Sequence, residues 1–343
     1  MAINVMIVDD SIFIRVLLKE ILESTTEEEI KVVASVSSGI EAIREIRLNK
    51  QIDVVTLDIR MPGMDGLETL KEIMAIKKLP VLMISSLTQK GSAKTLDALE
   101  LGAIDFITKD KDEFSNSLYG LKEEIRSKVI AVSKSNIRER KTIEKQKIEG
   151  IYKNSHHIVA IGSSTGGPTA LKILLTSIPK GFTSPMVIAQ HMPEGAFIDA
   201  LADKLNQSSN YSVKVIENGE EVKQGVAYLC PGGQNVEIFK RGNKFYLVLT
   251  KKLTNENVYR PSVNMLFSSL SRLERSLKKT AIVLTGMGDD GAKGAIAIHE
   301  AGGTVICESK KTAVVYGMPR KVAELNIPKY VADIEKIFKY LDR

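Results

Sequence analysis

The sequence predicts two α/β units joined by a charged tether. Three observations carry this. The 343-residue chain is long for a single domain. Val/Ile-rich runs of strand length alternate with stretches of helical spacing in both halves. Between Lys122 and Lys153, ten Lys/Arg stand against five Asp/Glu, so nearly all of the net charge of +6 lies in one segment.

The N-terminal stretch "MAINVMIVDD" holds an apolar run of six residues before two aspartates, without a basic leader region or a cleavage pattern. It reads as a first strand. Further runs at 30–36, 53–57, 80–85 and 104–108 are each followed by a helical pattern such as "IFIRVLLKEIL". Five such units predict a doubly wound parallel (βα)5 sheet over residues 1–122. In such a sheet polar residues at the carboxyl ends of strands meet in one crevice. Those residues are Asp9, Asp10, Asp58, Ser85 and Lys109.

Three carboxylates at one edge repel one another unless a hard cation lies between them, and an oxygen-only donor set suits Mg²⁺. A carboxylate with a free oxygen beside such an ion is a nucleophile for a phosphoryl group. Any single aspartate is equally well read as a helix N-cap; several strand ends carrying suitable groups together favour the site.

Residues 123–153 read as the tail of a helix running into a solvated linker. The segment has few aromatics, so its charge is taken as a solvated face rather than a nucleic-acid surface. No apolar stretch approaches the roughly 18 residues of a membrane span, and Cys230 and Cys307 lack metal-ligand spacing. A soluble, cytoplasmic protein is expected, without nucleic-acid binding or membrane insertion.

The second unit, 154–343, again predicts a doubly wound, mostly parallel α/β fold. Its strands fall at 157–162, 185–190, 211–216, 226–230, 280–285 and 303–307, with a hairpin across "RGN" at 241–243. Three strand ends stand out: "IGSSTGGP" at 161–168, "AQHMP" at 189–193 and "LTGMGDDG" at 284–291. The first fits neither dinucleotide nor phosphate-loop spacing, and no lysine follows until Lys172. It is either a plain strand-to-helix corner or, because it fits G-x-S-x-G, a nucleophile elbow centred on Ser164.

A serine nucleophile needs a base, and of four histidines His191 alone follows an apolar strand directly. Asp290, with Asp289 as the alternative, supplies a carboxylate to orient it. The chain order Ser, His, Asp differs from the α/β-hydrolase order.

Residues 1–120 resemble a two-component receiver domain, a flavodoxin-like fold, through "VDD" at 8–10, "TLDIRMPGMDG" at 56–66, "ISS" at 84–86 and "FITK" at 106–109. The resemblance implies phosphorylation at Asp58, Mg²⁺ held by Asp9, Asp10, Asp58 and the Arg60 carbonyl, and a switch comprising Ser85, Phe106 and Lys109. Residues from about 155 onward resemble the catalytic domain of the chemotaxis protein-glutamate methylesterase (CheB) family. The matching stretches are the three strand ends above, "PGG" at 231–233, "RPSVNMLF" at 260–267 and "VVYGMPR" at 314–320.

That likeness implies Ser164 as nucleophile, His191 as general base and acid, Asp290 as orienting carboxylate, and an oxyanion site near Met287 with Thr165. It implies hydrolysis of γ-glutamyl methyl esters on chemoreceptor cytoplasmic domains, with glutamine deamidation as a second activity, and no cofactor for the hydrolysis. It also implies a chemotaxis histidine kinase as phosphodonor, and a receiver that blocks the catalytic face until phosphorylated. A base at His191 must be neutral, so activity is expected to fall below about pH 6.5. From the residues alone, a hydrolase of another ester or amide and a nonenzymatic receiver-linked binding module remain the alternatives.

Overall fold

The computed structural model describes residues 2–24, 28–86, 89–109, 121–135, 156–251 and 259–341, with backbone only at 85, 86, 89–91 and 109. The chain divides into two compact units, Met1–Arg138 and Glu139–Arg343.

In the first unit, strands β1 (Ile3–Val8), β2 (Ile30–Val36), β3 (Val54–Asp58), β4 (Val81–Ser86) and β5 (Asp105–Lys109) form one sheet in the order β2-β1-β3-β4-β5. Every pairing is parallel. A parallel sheet is covered on both faces, which is why these strands read as unbroken apolar runs rather than alternating ones; Val5, Ile7, Leu57 and Leu82 are fully buried. The order reverses at β1, so the crevice lies at the carboxyl ends of β1 and β3.

Helices α1 (Ile12–Glu23), α2 (Gly39–Leu48), α3 (Gly66–Ile76) and α4 (Gln89–Leu101) connect the strands. The Ser11 hydroxyl caps α1 by accepting from the Ile14 amide, and Ile14, Leu17, Leu18, Ile21 and Leu22 make its buried stripe. Asp65 and Glu68 form a reciprocal capping box at the start of α3.

Helix α5 (Lys122–Ser133) belongs to this unit. Its Ile125, Val129 and Val132 are fully buried. The Arg126 side chain, only 2% exposed, donates to the carbonyls of Ile21 and Leu22 at the end of α1, and to that of Glu28 at 2.9 Å. A cation at a helix C-terminus meets both unpaired carbonyls and the negative end of the dipole. Residues 123–133 of the segment expected to be linker are instead anchored helix, and residues 136–153 of it lie outside the described residues.

The second unit is built on a seven-stranded sheet in the order β14-β13-β12-β6-β7-β9-β8. Its strands are β6 (His157–Ser163), β7 (Met186–Gln190), β8 (Ser212–Val215), β9 (Val226–Leu229), β12 (Lys278–Val283), β13 (Thr304–Glu308) and β14 (Tyr330–Ala332), parallel throughout. Strands β10 (Asn235–Arg241) and β11 (Lys244–Thr250) form a separate antiparallel hairpin, with Gly242 at positive φ in the two-residue turn.

The helices here are α6 (Gly167–Ser177), α7 (Phe197–Ser208), α8 (Val263–Ser271), α9 (Ala292–Glu300) and α10 (Met318–Ala323), followed by a 3-10 helix at Ile334–Tyr340. Strand β14 has no counterpart in the sequence reading. It is three residues long with Val331 mostly exposed at the sheet edge, too short to leave a periodic signal. Strand β6 is central, with β7 on one side and β12 on the other, so the chain reverses direction across the sheet there. The three strand ends singled out above therefore lie side by side.

Candidate active site

Gly166 opens α6 in the left-handed conformation, φ +77°, and Pro168 follows within the first turn. This tight turn treats its two serines differently. Ser163 is fully buried and its hydroxyl donates to Gln190 Oε1 at 2.6 Å. Ser164 is the half-exposed residue of the turn, between buried Ser163 and Thr165. Gln190 completes the clamp, its Nε2 donating to the Ser164 carbonyl at 3.1 Å and the His191 carbonyl at 2.8 Å.

The β6–β7 ladder pairs Ser163 with Gln190. Ser164 and His191 are thus the next residues on two adjacent parallel strands, and the His191 amide donates to the Ser163 carbonyl at 2.9 Å. His191 Nε2 lies 2.8 Å from Asp290 Oδ2, with both side chains less than a tenth exposed. The other ring nitrogen, Nδ1, is buried and has no hydrogen-bond partner among the described residues. Tyr259 stacks on the imidazole with ring centroids 4.3 Å apart and planes 14° apart.

Asp290 sits at the N-terminus of α8. Its Oδ2 accepts from the Val263 amide at 2.8 Å and its Oδ1 from the Asn264 amide at 2.9 Å, with the Ser262 hydroxyl at 3.3 Å. Burial pushes this carboxyl up. The His191 hydrogen bond and charge, together with the two helix amides, more than reverse that and hold it below the usual carboxylate range. Asp289, the sequence alternative, is exposed. Asn264 Oδ1 accepts from the amides of Gly291 and Gly294, tying the Asp290 turn to α8.

Met287 lies in the turn between Gly286 and Gly288. A methyl group on Gly286 would come within 2.7 Å of Ser164 Cβ, so glycine here is what lets that turn lie against the Ser164 turn. The Ser164 amide donates to the Thr285 carbonyl at 3.0 Å. Thr165 is 2% exposed and its carbonyl accepts from the Thr285 hydroxyl at 2.9 Å.

In the first unit, carboxylate oxygens of Asp9, Asp10 and Asp58 lie within 4.8 Å of one another, Asp10 exposed and the other two buried. The Arg60 amide donates to Asp58 Oδ1 at 3.3 Å, which places the Arg60 carbonyl in the same loop. Arg60, Asp65 and Lys94 also line the open pocket over Asp10 and Asp58, and Lys94 pairs with Asp65 at 3.1 Å. Ser85 and Lys109 stand at the carboxyl ends of β4 and β5; their side chains lie outside the described residues. Phe106 is buried at 4% exposure. Lys128 of α5 lies 5.6 Å from its ring centre and donates to its carbonyl at 2.7 Å.

A family model for CheB methylesterase matches residues 159–341, more than half of the chain. The chain belongs to the CheB methylesterase family. A response regulator receiver domain model matches residues 5–116. Among the relatives, the protein-glutamate methylesterase/protein-glutamine glutaminase of Bacillus subtilis is 38% identical, with 98% of this chain and 96% of that protein covered. The protein of the same name from Thermotoga maritima is 40% identical with the same coverage. The crystal structure of the Thermotoga maritima CheB methylesterase catalytic domain aligns at a TM-score of 0.52 and 42% identity, covering 55% of this chain and 98% of that one.

Sequence reasoning did not single out Gln190, Tyr259, Asn264, Thr285 or Glu308. Several lie inside the motif stretches, but their roles consist of partners contributed by distant segments. The sequence signal marks the stretches and not the contacts.

Proposed function

We propose that this chain is a receiver-regulated protein-glutamate methylesterase. It would hydrolyse γ-glutamyl methyl esters on the cytoplasmic domains of chemoreceptors, and receptor glutamine amides by the same chemistry, in chemotaxis adaptation. The observation that carries the reading is the buried His191–Asp290 pair at the strand end beside the half-exposed Ser164. The names of the whole-length relatives support protein glutamate methyl esters and protein glutamines as the groups acted on.

Asp290 accepts from Nε2–H, which fixes the tautomer and leaves Nδ1 to take the Ser164 proton. Ser164 Oγ attacks the ester carbonyl. The Met287 and Thr165 backbone amides donate to the developing oxyanion, each such donor being worth about 3 kcal/mol of barrier. Methoxide leaves with the proton from Nδ1 as methanol. Water, deprotonated by the same nitrogen, then splits the acyl-serine and frees the γ-carboxylate.

In the first unit, the convergent oxygens of Asp9, Asp10 and Asp58 fit a hard divalent cation. Mg²⁺ would be held by these carboxylates and the Arg60 carbonyl, and would neutralise charge during phosphoryl transfer from a chemotaxis histidine kinase to Asp58. Ser85 and Lys109 would contact the phosphoryl oxygens, with Phe106 responding to that state. The site of action is the cytoplasm; no helix among the described residues is long and apolar enough to cross a membrane.

The test is methanol release from methylated receptor. Ser164→Ala should abolish it, and release at the parent rate would overturn the triad. A generic ester that competes fully with methylated receptor would point to another acyl substrate. Phosphorylating Asp58 should raise the rate, and a chain lacking residues 1–150 should outpace the unphosphorylated whole. If neither accelerates, the receiver does not restrain the enzyme.

A further inference from the structure

Strand β13 ends in Glu308, a carboxyl only 1% exposed that the hydrolysis does not use. The β12–β13 ladder stops at the pair Val283–Cys307. Two residues further along, the Thr285 amide donates not to a strand carbonyl but to Glu308 Oε2, at 2.8 Å.

Thr285 is itself fully buried, and its other polar atoms all reach the active-site loops. Its carbonyl accepts from the Ser164 amide at 3.0 Å. Its hydroxyl donates to the Thr165 carbonyl and accepts from the Val315 amide, both at 2.9 Å. The next residue, Gly286, donates to the Val315 carbonyl at 3.0 Å and accepts from the Met318 amide at 2.8 Å. One residue thus ties the nucleophile turn, the Met287 turn and the 313–318 loop together, and Glu308 is the side chain that fixes it to the sheet.

We propose that Glu308 is a positioning residue for ester hydrolysis, acting through Thr285 to hold the Ser164 turn and the Met287 turn against each other. The inference rests on the methylesterase reading above. Its physical basis is geometric sensitivity. An oxyanion donor displaced by a fraction of an ångström loses much of its contribution, whereas ground-state binding of a receptor segment is spread over a wider surface. Loss of Glu308 should consequently appear in kcat and leave KM nearly unchanged.

The side chain has a second property. Burial, with further contributions from Asp333 and Glu335, pushes it up to about 7, against hydrogen bonds from the Thr285 amide and the Thr312 hydroxyl. The thiol of the neighbouring Cys307 is pushed up to about 12, so it stays neutral alongside. The charged groups beyond them, Lys311 and Lys336, are paired with Asp333. A carboxylate is a stronger acceptor than a carboxylic acid. Thr285 is accordingly held more firmly once Glu308 ionises.

The experiment compares Glu308→Gln and Glu308→Met in the full-length chain, by methanol release from methylated receptor with kcat and KM resolved. Active serines are counted with a covalent serine-directed reagent. Glu308→Gln keeps an acceptor for the Thr285 amide and should retain kcat within about threefold, whereas Glu308→Met orphans that amide and should lose about tenfold or more in kcat per active serine at similar KM.

A folded Glu308→Met with parental kcat overturns the inference, as does a loss confined to KM. Should Glu308→Met not fold, the pH profile of Glu308→Gln decides. It should show one ionisation fewer than the parent between about pH 6 and about pH 8, the ionisation common to both being that of the general base, and a profile of parental shape overturns the inference. Ser164→Ala is run in parallel. Activity that survives Ser164→Ala defeats the triad reading itself, whereas serine-dependent activity indifferent to Glu308 defeats only this inference.

Discussion

Asp290 satisfies four donors with two oxygens: His191 Nε2 and the Val263 amide on Oδ2, the Asn264 amide and the Ser262 hydroxyl on Oδ1. Asparagine has one acceptor and would turn an NH₂ toward two of these donors. Asp290→Asn should therefore lower kcat for methanol release by about a thousandfold or more through loss of the tautomer. It should also cost about 2 kcal/mol in denaturant unfolding, because a helix amide is left unpaired. Wild-type turnover by a folded Asp290→Asn protein would mean that Asp290 orients α8 and nothing catalytic. The choice of Ser164 over Ser163 rests at this scale too. The sequence offers two adjacent serines, and burial with a 2.6 Å bond to Gln190 occupies one of them.

At the scale of elements, strands and helices were legible where their chemistry is local. Val/Ile runs mark the covered strands, and the helical spacing of "IFIRVLLKEIL" marks α1. Helix α5 was legible only as a helix tail. Its highly charged composition looks like linker, and its place depends on Arg126 reaching carbonyls of α1 more than a hundred residues earlier. Arg126→Ala removes these charge-assisted bonds and should cost the first unit about 2–3 kcal/mol. In urea the first unit's transition should move to lower denaturant while the second unit's stays. An unmoved first transition would show that the apolar face of Ile125, Val129 and Val132 docks α5 by itself.

Over the molecule as a whole, two buried titratable groups in the second unit oppose each other. His157 donates and accepts between Ser184 and Thr280, each 3.0 Å away, and burial, aided by the Lys278 charge, lowers it to about 3. The unfolded chain takes up that proton first, so stability is lost as pH falls below the ordinary histidine value of about 6.5, by about 1.4 kcal/mol per pH unit. Glu308, raised to about 7, has the opposite sign: the folded state holds the proton longer, and stability is lost as pH rises from about 4.5 through 7. The two slopes cancel between about pH 4.5 and 6.5. Glu308→Gln should expose the histidine slope, with stability of the second unit rising steadily with pH across that window in chemical denaturation. A flat profile in that variant would show that His157 is not held neutral.

Two α/β units, the strand ends that carry polar groups, and Ser164, His191, Asp290 and Asp58 as the candidates there are legible in the sequence alone. These follow from local pattern: apolar period, turn composition and residue type immediately after a strand. Tertiary structure alone decided which ring nitrogen of His191 faces Asp290, that Gln190 takes Ser163 out of play, and that Thr285 and Glu308 tie the turns together. Those facts concern pairs of groups drawn from β6, β7, β12 and β13, and strand order brings them together. A chain read in sequence carries the donors and the acceptors, and folding assigns each its partner.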